Sequence, residues 1–289
     1  MNLTRSKKKD LLYVAVAAFF FLTACVLQTV DDYISDWSVK TTIALLTQYI
    51  FFGLLAYWTA SVISRISDKS ICSGIIVAIA LMGGILFVRL LKYHVFYDGT
   101  VMRYLWYSYY IPHCLAPAVL LITLLGMGRK DGKPLAKGWY LLFLPAAALI
   151  LLVFTNDLHE QVFSFAKGLK YSNEIYKWEW GYYFILSWIA VLYLSIGVLL
   201  YIKCRVSGCR KKAWIPLVLF IVCIVLCVLR EVFDPVFIRM PEAVVFSVVV
   251  VFESLIRIGF IPSNVNHEEL FYVADVSAGI ADKDPVSYT

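Results

Sequence analysis

Eight apolar stretches recur along this chain, at 11–30, 41–64, 73–92, 104–126, 139–154, 180–202, 214–229 and 241–260. Each is close to the ~20 residues that an α-helix needs to cross a hydrocarbon layer, and a helix satisfies its own backbone hydrogen bonds there. The alternating polarity of membrane β-barrel strands is absent from these stretches. A mean hydropathy of +0.78, with 61% apolar and 16% charged residues, also excludes a water-soluble domain. The expected fold is an all-α polytopic transmembrane bundle of about eight crossings. It divides into an N-terminal basic segment, anchor helix and outer loop (1–40), a seven-helix membrane core (41–262) and a polar, acidic tail (263–289).

The segments between the stretches alternate in charge. Arg5, Lys7, Lys8 and Lys9, then Arg65 and Lys69, then Arg129, Lys130, Lys133 and Lys137, then Lys203, Arg205, Arg210, Lys211 and Lys212 make one set basic. The other set holds Asp31, Asp32, Asp36, Asp98, Asp157, Glu160, Glu174, Glu179, Glu231, Asp234 and Glu242. The bias of Lys and Arg toward the cytoplasm then predicts both termini inside. The net charge of +6 reflects cytoplasmic loops and gives no reason to expect a nucleic-acid partner. LTAC at 22–25 has the form of a lipoprotein processing site at Cys25, which would leave seven crossings; Val26, Leu27 and Val30 instead continue the run, as in an uncleaved anchor. No cysteine pattern completes a metal site, and the His residues lack ligand spacing, so no metal or cofactor is expected.

Two polar clusters stand out at the expected outer face. FTNDLHEQVF at 154–163 sets Asn156, Asp157, His159, Glu160 and Gln161 at the end of the fifth stretch. Polar groups grouped at a helix mouth more often line a wet site than face lipid. RYLWYSYYIPHCLAP at 103–117 opens the fourth stretch. On a helix, Trp106, Tyr110, His113 and Pro117 share one face and Arg103 and Tyr107 the next, while Pro112 and Pro117 remove backbone donors and predict a kink. A cavity wall and aromatic packing around a satisfied histidine both account for this face. Arg89, Lys92 and His94 end the third stretch, and Arg230, Glu231 and Asp234 the seventh, as mutual clamps or as the rim of one pocket. The segment 158–179 is rich in aromatics and is long enough to fold back as a lid. Glu253 and Arg257 in the last stretch have the spacing of an intrahelical ion pair, serving either to neutralise the emerging helix or to shift when a ligand binds.

RLLKY at 89–93, RYLWYSYYIP at 103–112, FTNDLHEQVFSF at 154–165 and IPSNVNHEELF at 261–271 together resemble the multi-pass, seven-transmembrane-type N-terminal sensor region of bacterial sensor histidine kinases. That resemblance implies an input module of the bacterial cell membrane, usually dimeric, that passes a signal through its last helix to a cytoplasmic signalling domain or kinase. The phosphoacceptor and ATP-binding motifs of such kinases are absent from this sequence, so no enzymatic activity is expected of the chain itself, and AGIADKDPVSY at 278–288 resembles the start of a PAS-type domain. The reading that joins these observations is a receptor for a small molecule, with a cavity walled by Arg103, Tyr107, Tyr110, His113, Asp157, His159, Glu231 and Asp234 and a relay through Glu253 and Arg257. The alternative is a small-solute transporter or channel, which requires polar residues continuing through the inner half of the bundle.

Overall fold

The structure, a computed structural model, describes residues 2–66, 68–96, 98–127, 135–165, 176–203, 209–233, 239–261 and 263. Helix occupies all eight apolar stretches. The elements are α1 (Asn2–Tyr33), α2 (Trp37–Arg65), α3 (Lys69–His94), α4 (Gly99–Ser108), α5 (Tyr110–Gly126), a 3-10 turn (Lys137–Leu142) leading into α6 (Phe143–Phe154), and the single turn α7 (Asn156–His159). Strands β1 (Phe163–Phe165) and β2 (Tyr176–Trp178) follow, then α8 (Trp180–Lys203), α9 (Trp214–Phe233) and α10 (Met240–Ile258). Among the described residues, six helical spans are long and apolar enough to cross a membrane: those on α1, α2, α3, α4 with α5, the turn with α6, and α8. α10 differs in carrying Glu242, Glu253 and Arg257 within its nineteen residues.

Local chemistry sets the helix ends. Asp36, Asp68 and Asp98 each accept backbone N–H groups in the first turn of α2, α3 and α4, satisfying donors that no helical carbonyl reaches. Gly259 takes the left-handed conformation (φ 92°) that closes α10, its N–H reaching back to the last turn. At the other end of α8, Lys203 Nζ donates to the carbonyls of Leu124, Leu125 and Met127 at 3.0, 2.6 and 2.8 Å, placing a cation on the negative end of α5. α1 runs unbroken through Cys25, which is fully buried.

One sequence expectation is met and another needs amendment. The fourth stretch is two helices that meet at Tyr109, because Pro112 has no N–H to bond the carbonyl of Ser108. The segment 158–179, read as an aromatic loop able to fold back as a lid, contains an antiparallel ladder pairing Phe163 with Trp178, Ser164 with Lys177 and Phe165 with Tyr176. Among the described residues the bundle is thus helical with one added pair of strands.

α3 lies at the centre, packed against α2, α4, α5 and α10, while α1 packs on α2, α8 on α5 and α9 on α10. Its buried stripe runs Ile71, Ile75, Ala78, Met82, Ile85, Arg89 and Lys92, the three-and-four spacing of one helix face, so the apolar core passes directly into buried charge near its end. Close approach of α3 to α5 depends on Gly74, where an added Cβ would overlap the Thr123 side chain. Gly74→Ala is expected to lose about 1–3 kcal/mol through overpacking, read as a lowered melting temperature of the purified protein. Gly84→Ala in the same helix, whose Cβ meets nothing within 4 Å, should leave that temperature unchanged or raised.

Candidate functional site: a closed lock and an open charged cleft

The end of the bundle that carries the hairpin holds two separate polar regions. The first is a closed lock built on Asn156, which is fully buried. Its Oδ1 accepts from the backbone N–H groups of Val162 and Phe163 at 2.9 and 3.0 Å, and its Nδ2 donates to the Phe163 carbonyl at 2.8 Å and the Tyr107 hydroxyl at 3.3 Å. One amide therefore fixes the path from α7 into β1. Asp157 accepts from the Tyr107 hydroxyl at 2.8 Å and pairs with Arg103 at 2.6 Å, tying α7 to α4. Glu160, in the left-handed region at φ 49°, ends α7 with its N–H on the Asn156 carbonyl. The Gln161 N–H donates to His159 Nδ1 at 3.0 Å, so Nε2 carries the proton of the neutral ring and donates to Thr155 Oγ1 at 3.1 Å. Phe163 is the apolar counterpart of Asn156, with ring centroids of Trp106, Tyr176, Tyr110 and Tyr182 4.6 to 5.8 Å away. Gly181 admits this packing because a Cβ there would lie 2.8 Å from the Gln161 carbonyl oxygen.

The second region is a cluster of buried charge between α1, α2, α3 and α10. Arg89 forms an ion pair with Glu242, the two side chains 6% and 0% exposed, and Gln48 Nε2 donates to the same carboxylate at 2.9 Å. Arg239, just before α10, pairs with Asp31 at the end of α1 at 3.0 Å. Lys92 is buried with its Nζ 4.9 Å from the centre of the Tyr93 ring. Gln28, one turn before Asp31, is buried with no hydrogen-bond partner for its amide among the described residues, and the same holds for Asp31 Oδ1 and Glu242 Oε2. Buried polar atoms in that condition call for water or a bound polar group.

A cavity of about 2270 Å³ opens from this cluster and runs along the bundle between α8 on one side and α3, α9 and α10 on the other. Its charged head is lined by Asp31, Lys40, Arg89, Lys92, His94 and Arg239, and an aromatic wall of Trp106, Tyr109, Tyr110, His113 and Tyr182 faces that head. Below Tyr193 the lining becomes Leu194, Gly197, Val198, Leu217, Phe220 and Val251. Comparison adds no assignment: no protein-family model, curated protein or solved structure matches the chain. The site is therefore read from its own chemistry.

The residues singled out from sequence separate cleanly. Tyr110 and His113 line the cavity, and His113 Nδ1 bonds the Tyr109 carbonyl at the break between α4 and α5. Arg103, Tyr107 and Asp157 come together in the lock, and His159 lies beside it; none of the four lines the cavity. Glu231 falls on α9, but its side chain, like Asp234 as a whole, lies outside the described residues. Glu253 and Arg257 do form the expected pair at 2.6 Å, and Glu253 also receives a two-pronged contact from Arg65 at 2.8 and 2.7 Å and the indole N–H of Trp58 at 3.0 Å. Sequence reading missed Gln28, Gln48 and Arg239, and it counted Asp31 and Glu242 only as loop acids. The available signal was two amide side chains and an acid inside stretches that are otherwise apolar.

Asn156→Ala removes the acceptor for two buried N–H groups, each worth about 1–3 kcal/mol when orphaned; a melting temperature lowered well below that of Asp157→Asn, which keeps the Asn156 bonds, is expected. Arg89→Met should cost about 3–5 kcal/mol by leaving Glu242 buried beside no guanidinium, and Arg89→Met with Glu242→Gln should recover most of it, as thermal unfolding of the single and double variants will read.

Proposed function

We propose that this chain is the membrane-embedded input module of a bacterial receptor. It crosses the membrane eight times, with the hairpin end outside and both termini in the cytoplasm, binds a small signal in the cleft, and passes it through α10 to a cytoplasmic signalling domain of two-component type, acting as a homodimer. The observation that carries this reading is that the cleft is walled by α10, whose first turn is held through Glu242 to Arg89 and whose last turns are held through Glu253 to Arg65. A ligand at the charged head thus touches a group that anchors the helix leading to the tail. The alternation of basic and acidic segments supports the orientation, and the resemblance of several ordered segments to the sensor regions of histidine kinases supports the role.

The relay follows from competition. An anionic or strongly polar ligand reaching Arg89 offers that guanidinium a partner other than Glu242. The hold on the first turn of α10 then weakens while the Arg65–Glu253 clamp persists, and the helix pivots about its far end. Transport would need a polar route past Tyr193, where the lining is sparsely polar.

With the seven native cysteines replaced, spin labels on Thr42→Cys near the start of α2 and Ala243→Cys in the first turn of α10, the end that moves, will read the pivot as a changed inter-label distance. A compound that binds at about a hundred times its Kd should stabilise the protein by about 2.7 kcal/mol and shift that distance. Glu253→Gln should keep the stabilisation and lose the shift. A stabilising compound that leaves the distance unchanged, or saturable flux of that compound into liposomes, would overturn the receptor reading.

A further inference from the structure

The unpartnered polar atoms of the charged cluster are fully buried; those of the aromatic wall are not. Tyr110 and His113 are half-buried and line the cleft from adjacent turns of α5, and neither the Tyr110 hydroxyl nor His113 Nε2 has a hydrogen-bond partner among the described residues. His113 Nδ1 lies against the Tyr109 carbonyl. A carbonyl oxygen only accepts, so Nδ1 carries the proton of the neutral ring and Nε2 presents a lone pair. The wall therefore offers one acceptor, His113 Nε2, and one hydroxyl, that of Tyr110, which donates or accepts. Positions three apart on a helix have Cβ atoms about 5–6 Å apart, so a single ligand group reaches both.

The same wall is built of rings. Trp106, Trp178 and Tyr182 line the cleft beside Tyr110, and Trp178 and Tyr182 stack with centroids 5.1 Å apart. Ring faces in this number favour a flat π-system. Beyond the wall, α8 lines the cleft from Tyr182 to Tyr201, about 28 Å at 1.5 Å per residue. At 2270 Å³ the whole space exceeds the roughly 300–1,000 Å³ of pockets for drug-sized ligands. Leu194, Val198, Tyr201, Trp214 and Leu217 line the far part and are themselves 51% to 67% exposed, so the cleft opens sideways between α8 and α9. In a membrane that mouth meets hydrocarbon, and a ligand that fills the cleft carries a long apolar tail.

We infer that the cleft takes a lipophilic hydroquinone from the bilayer, in preference to the corresponding quinone. Its ring lies along Trp106 and Tyr182, one hydroxyl donates to His113 Nε2 and accepts from Tyr110, the second reaches across to Arg89 at the charged head, and the tail runs along α8 past Gly197. The oxidised ring has two carbonyl oxygens and no donor, so it sets a lone pair against that of Nε2. Selection between the two forms is by hydrogen bonding and involves no electron transfer in the protein. The inference rests on the cleft being the ligand site of the proposed receptor and names its ligand class; the signal is then the reduced fraction of a membrane-dissolved quinone.

The full chain, purified anaerobically in a neutral detergent, is titrated with menaquinol-4, menaquinone-4, the tail alone as geranylgeraniol and the ring alone as menadiol, and each Kd is read from the rise in melting temperature. Menaquinol-4 should bind about tenfold more tightly than menaquinone-4, the scale of one hydrogen bond whose loss leaves its partner unsatisfied, and more tightly than either fragment. His113→Phe keeps a ring of similar size and should abolish the preference for the reduced form. Tyr110→Phe removes one oxygen, orphans no partner, and should weaken both forms. Gly197→Leu, where an added Cβ meets nothing within 4 Å, obstructs the tail and should weaken menaquinol-4 while sparing menadiol. Equal Kd values for the two redox forms on the unaltered chain would overturn the inference. So would geranylgeraniol binding as tightly as menaquinol-4, which marks a general apolar groove, or a preference that survives His113→Phe. Tyr110→Phe that leaves menaquinol-4 binding unchanged would do the same whether or not His113→Phe folds. Bound menaquinol-4 that leaves the Thr42–Ala243 label distance unchanged upholds the hydroquinone site and counts against the receptor relay, so the two readings fail separately.

Discussion

The Arg89–Glu242 pair is the contact on which the arrangement of the hairpin end depends. It joins α3, the central helix, to α10, and through Gln48 it brings in α2. In a medium with little water, a lone guanidinium or carboxylate at these positions would bear a desolvation penalty of several kcal/mol. Each therefore requires the other, and helix positions that would otherwise slide along apolar faces are fixed in register. Apolar contacts between membrane helices lack this selectivity, because lipid tails solvate Leu and Ile about as well as another helix does. The second pair, Arg239–Asp31, draws the end of α1 into the same cluster.

Much of this was legible in the sequence, for physical reasons. Helix length and hydropathy are local properties, so all eight apolar stretches carry helix, and the Pro112 kink could be anticipated because proline acts on its own chain. Glu253 and Arg257 paired as expected because i and i+4 are neighbours on any helix. What the sequence did not disclose is which helices are neighbours. Arg65 reaches Glu253 and Arg89 reaches Glu242 across more than 150 positions of chain, and nothing in either local pattern names its partner. The aromatic loop hid a hairpin for a related reason: its ladder is only three residues on each side, and Asn156, which lies outside both strands, organises it.

The division of the hairpin end also has a physical basis. Trp106, Tyr110 and His113 share one face of the fourth stretch and line the cleft, while Arg103 and Tyr107 on the adjacent stripe turn to α7. The two helices of the fourth stretch thus present one face to the closed lock and another to the open space. Asn156 and Asp157 are saturated with partners from the chain itself, so their polarity is spent internally. The charged cluster differs, for Gln28, Asp31 and Glu242 keep polar atoms that the described residues do not satisfy. Incomplete satisfaction marks the second region as the one that has chemistry left to offer.

The same incompleteness bears on how a signal could travel. A ligand moves a two-state equilibrium only by the difference between its affinities for the two states, and turning a 1:99 population into 99:1 takes about 5.5 kcal/mol. Apolar contacts along α8 are nearly indifferent to a small pivot of α10, so an apolar part of a ligand would contribute affinity with little bias. The head is different, because Arg89 cannot serve a polar ligand and Glu242 equally well at once. Rearranging a buried charge pair is on the scale of 3–5 kcal/mol, near the required range. On the proposed reading, discrimination between states therefore belongs to the charged head and residence time to the apolar cleft, and the Arg65–Glu253 clamp supplies the fixed point without which loosening the first turn of α10 would move nothing.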